Sequence, residues 1–147
     1  MAAAVDIEAE VEAAAQYWAS AQERATDDIG LTVLVITQAG ERVVVGIAGG
    51  MSDELRPHFG QLVRRAVGQP IEAYVAAMTG WTSTRLDVRP ADDPQAGEVL
   101  MVYGADRQGR KASRAYQMLR FGDEIRLVPM DWSNVEAPTF QQILEED

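Results

Sequence analysis

The sequence contains no cysteine, a single histidine, His58, and a single lysine, Lys111. Without cysteine the chain has no disulfides, no thiolate nucleophile and no Cys-ligated zinc or iron–sulfur centre. One histidine also excludes a site built from several histidines. These absences remove the residues on which most recognisable catalytic sites depend, so the sequence predicts no catalytic residue and no cofactor.

Long hydrophobic runs are missing as well. The longest apolar segments, such as residues 31–36, have the length of strands, whereas a membrane-spanning helix needs about 20 apolar residues. The first ten residues carry acids where an export signal carries basic residues and then an apolar core. We therefore expect a cytoplasmic protein without a membrane partner.

Negative charge is abundant and unevenly placed. The chain holds 23 acidic and 13 basic residues, a net charge of −10, which argues against direct binding to nucleic-acid phosphates. Acids dominate residues 1–30 and residues 131–147, and the segment between them is nearly neutral. Either the acidic ends mimic nucleic acid and occupy a basic protein surface, or they keep a small protein soluble.

The length of 147 residues fits one α+β domain spanning 1–147. Apolar residues at steps of three and four predict an acidic N-terminal helix over about 5–27. Two β-branched runs within 31–48 flank a turn at Gly40, which predicts a hairpin, and their apolar positions suggest that both faces are covered. A second helix begins near Ser52 and places Leu55, Phe59, Leu62, Val63 and Ala66 at helical spacing.

The rest of the chain favours strands. Residues 71–78 form a crossover strand that runs parallel to the second hairpin strand, and residues 79–97 form a long loop. A three-stranded meander then covers 98–103, 110–121 and 124–131. The acidic tail, about 131–147, ends in a short helix with Phe140, Ile143 and Leu144 on its apolar side. The predicted fold is a mixed, mostly antiparallel sheet with two main helices and a short C-terminal helix.

Arginines cluster between residues 107 and 120, where no acid occurs. If 110–121 is a regular strand, alternation places Arg110, Arg114, Tyr116 and Arg120 on one face. Guanidinium groups recognise carboxylates, so this arginine row, together with Trp81, is a candidate partner-binding surface. The alternatives are that the arginines pair with the chain's own acids or are simply solvated.

Carboxylates in and after the long loop allow a second interpretation. Asp87, Asp92, Asp93 and Glu98 carry the oxygen ligands that Mg²⁺ and Ca²⁺ prefer, which suggests a metal-dependent hydrolase. Their spacing fits no EF-hand, and Asp-Asp-Pro is ordinary turn chemistry. His58 is expected on the solvated surface.

A family resemblance rests on short segments between residues 31 and 130. They are Glu72-Ala73-Tyr74-Val75, Trp81, Arg89-Pro90-Ala91-Asp92-Asp93-Pro94 and Glu98-Val99-Leu100. Their order resembles a group of small acidic α+β proteins of bacteria, archaea and phages without an established activity. Two charged residues of that pattern are replaced in this sequence. Thr79 stands where the group has an acid two residues before the tryptophan, and Ala96 stands where the group has an arginine in the loop.

Together these observations favour a non-enzymatic accessory or interaction module, encoded by a phage or mobile element, that acts through self-assembly or a protein partner. The metal-dependent hydrolase and the nucleic-acid mimic remain the alternatives.

Overall fold

The computed structural model describes residues 5–24, 30–47, 53–82, 97–130 and 138–145. The elements follow in the order α1 (Ile7–Arg24), β1 (Leu31–Thr37), β2 (Arg42–Ile47), α2 (Phe59–Val67), β3 (Ile71–Thr82), β4 (Gly97–Asp106), β5 (Lys111–Phe121), β6 (Glu124–Met130) and α3 (Pro138–Gln141). Single 3₁₀ turns, Arg56–His58 and Gln142–Leu144, precede α2 and follow α3.

The six strands form one sheet in the order β2-β1-β3-β4-β5-β6, and each neighbouring pair is antiparallel. The predicted α+β class, with two main helices and a short C-terminal helix, is confirmed. Strands β2 and β3 run in the same direction, because both are antiparallel to β1. They do not pair with each other, since β1 lies between them.

Helix α1 covers one face of the sheet, which we call the α1 face. Its apolar side includes Val11, Ala15 and Trp18, all buried, and it packs across β3, β4, β5 and β6. The acids Glu8 and Glu10 lie in its first turn, where the positive end of the helix dipole stabilises negative charge. Burial of this apolar stripe is what holds the helix against the sheet.

Helix α2 and the C-terminal turns cover part of the opposite face. Phe59 and Val63 of α2 join Phe140 and Ile143 in a second core beneath Tyr74 and its neighbours on the sheet. Gly60 is required for this contact, because a Cβ at that position would overlap Gln142. The Gly60 N–H also donates a hydrogen bond to Gln142 Oε1 at 3.1 Å, which fixes the C-terminal turn on α2.

The hairpin is covered less completely than its sequence predicts. Strand β1 is interior to the sheet and largely buried, whereas β2 is an edge strand whose residues alternate between exposed and half-buried. Val44 is 65% exposed. The expectation of cover on both faces is therefore wrong for β2, because an apolar strand sequence does not reveal whether a neighbour lies beyond it.

Other boundaries also differ from the sequence prediction. Strand β3 continues through residues 79–82, and β4 continues to Asp106, because the two strands pair over ten positions. Helix α2 begins only at Phe59, after the 3₁₀ turn that contains Pro57, and Leu62 on it is 45% exposed. The predicted end of α1 near residue 27 and most of the long loop lie outside the described residues. Among the described helices, none is long and apolar enough to cross a membrane.

Close approach of α1 to β4 depends on Gly104. A Cβ placed there would lie 2.6 Å from Val11 Cγ2 and 3.1 Å from Ile7 Cδ1. Real side-chain carbons do not approach so closely, so any larger residue would push α1 away from the sheet.

We predict that Gly104→Ala lowers the free energy of unfolding by about 1–3 kcal/mol, because the added methyl overpacks the contact with α1. Gly80→Ala is the matched control, since nothing lies within 4 Å of a Cβ at that position. Urea denaturation measures both variants. Equal stability of the two would contradict the packing argument.

Candidate interaction surfaces

The arginine row lies on the α1 face of the sheet. Alternation along β5 places Arg114, Tyr116 and Arg120 on that face. The residues that pair with them on β4 and β6 lie on the same face and are covered by the same helix. Arg110 precedes the strand, at the turn that follows β4. The predicted geometry therefore holds for three of the four residues.

Arg114 pairs with the acidic side of α1. Its Nε donates to Glu12 Oε2 at 2.9 Å and its Nη2 to Glu8 Oε2 at 3.2 Å. The hydrogen bond from Arg114 lowers the pKa of the Glu12 carboxyl, and the same bond raises the pKa of Arg114. An acid-rich N-terminal segment is thus attached to the basic strand, which is one of the arrangements that the sequence allows.

Arg120 forms a two-bond pair with Glu98 across β4 and β5. Nε donates to Oε1 at 2.7 Å and Nη2 to Oε2 at 2.9 Å. This contact lowers the pKa of the Glu98 carboxyl, chiefly through the hydrogen bond. Glu98 was also a candidate metal ligand, and in the structure both of its oxygens accept hydrogen bonds from the guanidinium.

Arg110 stabilises the turn between β4 and β5. Its Nε donates to the buried Asp106 carboxylate at 2.7 Å, and its Nη2 reaches the carbonyl oxygen of Val5 at 3.1 Å. Asp106 Oδ1 also accepts the N–H groups of Gln108 and Arg110. These bonds satisfy a buried carboxylate, which would otherwise be costly.

Tyr116 packs against the core beneath α1, and burial raises the pKa of its hydroxyl.

Several sequence candidates are described only in part. Trp81 lies in β3 opposite Glu98, but its side chain is outside the described residues, as are Asp87, Asp92 and Asp93. Within the described part of the chain, no group of three or more acidic or histidine side chains is arranged to hold a metal. His58 is exposed, as expected.

The Arg120–Glu98 pair makes stability depend on acid pH. A folded-state pKa below the ordinary value of 4.5 stabilises the fold above that pH, and this stabilisation is lost as the pH falls through the lowered value. We predict that Glu98→Gln lowers the free energy of unfolding by about 0.5–1 kcal/mol at pH 7 and that this difference becomes smaller as the pH falls toward 3.

Thermal melting between pH 7 and pH 3 tests this prediction. Glu124→Gln is the control, because Glu124 lies in a more exposed pair with Arg126 at 3.4 Å. A constant difference between Glu98→Gln and the wild type at all pH values would show that the carboxylate charge is not responsible.

The β6 edge of the sheet is protected against further pairing. The Leu127 N–H points away from β5 and donates to Glu23 Oε2 of α1 at 2.9 Å. Residues at alternate positions of a strand point their backbone groups the same way, so Pro129 also faces outward, and proline has no N–H to offer. A side-chain cap and an edge proline are two known means of blocking strand addition.

Among the described residues, the β2 edge has neither device. A hydrogen bond from the Thr37 N–H to the Glu41 carbonyl closes the hairpin, so the backbone groups of Val43, Val45 and Ile47 point toward β1. Those of the alternate residues, Arg42, Val44 and Gly46, therefore point outward. These three residues are exposed, and β2 contains no proline.

An apolar groove runs beside this edge on the α1 face. Its volume is about 450 Å³, and its walls come from α1, β1 and β2, including Tyr17, Trp18, Leu34 and Val44. Tyr17 is 67% exposed and packs edge-on against Trp18. At one end, Arg42 Nη1 donates to Glu10 Oε2 at 2.7 Å, and this bond lowers the pKa of the Glu10 carboxyl.

The sequence does not predict this surface. The alternating exposure of β2 arises from its position at the edge of the sheet, and the only signal in the chain was an unusually apolar strand. Comparisons with protein-family models, with curated proteins and with solved structures each find no match. The resemblance to the small acidic proteins therefore stays a prediction.

Proposed function

We propose that this chain is a protein-interaction module that self-assembles by pairing β2 with β2 of a second copy, which joins two sheets into one. The observation that carries the proposal is the difference between the two edges. The β6 edge is blocked by Glu23 and Pro129, whereas the β2 edge presents outward backbone groups on an exposed, β-prone strand. When one edge of a sheet is blocked and the opposite edge is open, the open edge is the one that can pair with a partner strand.

The three outward residues of β2 define an antiparallel register. When Val44 pairs with Val44 of the second copy about a two-fold axis, Arg42 of each strand lies opposite Gly46 of the other. All outward N–H and C=O groups of these residues then find partners. The register also avoids like charges, because the one charged residue of β2, Arg42, faces a glycine.

Side-chain burial adds to backbone pairing in this arrangement. Val44 and Tyr17 are among the most exposed large apolar residues of the described chain, and both border the groove. A strand added along β2 brings apolar surface of the second copy close to that groove. Apolar burial contributes about 25 cal/mol per Å² removed from water.

Electrostatics affect the strength of the association. Each chain carries a net charge of −10, so two copies repel at low ionic strength. Salt screens this repulsion, since the Debye length falls to about 8 Å at physiological ionic strength. We therefore expect association to strengthen as salt rises, and Arg42, the one charged residue of β2, is already paired with Glu10 of its own chain.

We predict that Val44→Lys weakens self-association at least tenfold, because the two lysines face each other across the two-fold axis. Val128→Lys is the matched control, since Val128 is an exposed valine, at 45%, on the protected edge strand. Sedimentation equilibrium at physiological salt measures both variants, and Val128→Lys should behave as the wild type.

Mixing charge variants tests the register directly. Val44→Lys and Val44→Glu should each be monomeric alone, and an equimolar mixture should associate, because opposite charges then meet on the axis. Failure of the mixture to associate, or a monomeric wild type, would contradict pairing through β2 and favour an extended segment of another protein as the partner.

The arginine row provides a further comparison. Arg114 and Arg120 bind carboxylates of their own chain, so Arg114→Ala should lower stability slightly, by up to about 1 kcal/mol, and leave self-association unchanged. Loss of association without loss of stability would instead support the row as the partner-binding surface.

A further inference from the structure

The C-terminal segment, residues 138–144, has the form of a short bound peptide. It consists of the four-residue helix α3 and the three-residue 3₁₀ turn that follows it. Isolated helices shorter than about 12 residues are unstable in water, so the segment keeps its shape because the surface beneath it holds it. Its backbone is not part of the sheet, and none of its described side chains belongs to the core under α1. The sheet and its contact with α1 are therefore complete without it.

Two apolar side chains anchor the segment. Phe140 and Ile143 are 7% and 0% exposed, and their spacing of three residues places both on one side of the turn. They share one core with Phe59 and Val63 of α2 and with Tyr74 of β3. The ring centroids of Phe59 and Phe140 lie 5.7 Å apart. Anchors at this spacing are typical of a helical peptide bound in a groove.

A glutamine between the anchors recognises the start of α2. Gln142 Oε1 accepts the Gly60 N–H at 3.1 Å, and Gln142 Nε2 donates to the carbonyl oxygen of Arg56 at 3.1 Å. The amide thus satisfies a donor in the first turn of α2, where N–H groups lack partners within the helix. A Cβ at position 60 would lie only 2.4 Å from Gln142 Cβ. The surface is therefore shaped for a glutamine at this point of the segment.

The fit of the segment leaves one buried group unsatisfied. Arg107 Nη1 donates to the carbonyl oxygen of Leu144 at 3.0 Å, and Gln141 Nε2 donates to the Tyr103 hydroxyl at 2.9 Å. The ring of Tyr74 lies beside that of Tyr103, but its buried hydroxyl has no hydrogen-bond partner in the described part of the chain. An unsatisfied buried hydroxyl lowers stability. A segment that offered this hydroxyl an acceptor would therefore bind more tightly than the chain's own.

We propose that this surface is a peptide-binding site, which the C-terminal segment fills until a matching segment of a partner protein replaces it. The partner segment is a short helical turn with an aromatic residue, a glutamine two positions later and an aliphatic residue directly after the glutamine. These are the positions of Phe140, Gln142 and Ile143 in the chain's own segment. The site lies on the face of the sheet opposite α1, so the inference does not rest on pairing through β2.

A labelled peptide with the sequence of residues 138–145 tests the site on the full chain by fluorescence anisotropy. In the wild type the peptide competes with a tethered segment of millimolar effective concentration and should bind weakly. In Ile143→Asp the tethered segment loses its fully buried anchor, so the peptide should bind about tenfold more tightly or better. No gain in binding by an Ile143→Asp variant that keeps the wild-type circular dichroism would overturn the proposal.

Amide hydrogen exchange on the wild type decides the question if Ile143→Asp does not fold. The Gly60 N–H is bonded to Gln142, so it exchanges when the segment leaves. We expect its protection factor to be about tenfold lower, or more, than that of Val75 in the interior strand β3, because the segment leaves while the sheet stays folded. Equal protection would show that the segment leaves only on global unfolding, and the proposal would then be wrong.

Further variants locate the site and identify its occupant. Gly60→Ala added to Ile143→Asp should abolish peptide binding, because the new Cβ overlaps the glutamine of the peptide. Gly80→Ala added to Ile143→Asp is the matched control and should leave binding unchanged, since a Cβ there meets nothing within 4 Å. Val44→Lys should behave as the wild type in both measurements, so the two proposals fail independently. If Ile143→Asp weakened self-association as Val44→Lys does, the occupant would be the segment of a second copy and not a different protein.

Discussion

The docking of α1 across the sheet is the interaction on which the other features depend. Val11 lies so close to β4 that only glycine fits at position 104. Ion pairs and a cap then fix the helix laterally, with Glu10 bound to Arg42 of β2, Glu12 bound to Arg114 of β5 and Glu23 bound to the Leu127 N–H of β6. One helix thus connects both edges of the sheet, and apolar burial provides most of the stabilisation.

The same helix makes the two edges unequal. Its C-terminal part supplies the carboxylate that caps β6, whereas its N-terminal part binds β2 through the side chain of Arg42 and, within the described residues, makes no hydrogen bond to the outward backbone groups of that strand. Because an antiparallel sheet that does not close always has two edges, each must be covered, blocked or paired. The proposed assembly follows from this requirement and from the absence of any described segment beyond β2.

The net charge of the composition does not show how the charges are paired in the structure. Acids of α1 neutralise arginines of β2 and β5, so much of the apparent contrast between an acidic N-terminus and an arginine-rich strand is internal pairing. Where the end of α2 meets the C-terminal turn, Arg64 and Arg107 donate hydrogen bonds to backbone carbonyl oxygens, although the protein is rich in carboxylates. Net charge therefore describes the surface poorly, because pairing is decided by which strands and helices become neighbours.

The sequence by itself determined the elements. Apolar spacing in α1, the β-branched runs of β1 and β2 with the glycine turn between them, and the alternation that places Arg114, Tyr116 and Arg120 on one face are local properties, and the structure has all of them. Only the tertiary structure decided that β1 is central and β2 an edge, that Arg120 meets Glu98 and that Arg107 turns toward the C-terminal segment. Those outcomes join residues from 22 to 37 positions apart, or depend on strand order, and neither composition nor periodicity carries information about contacts at that separation.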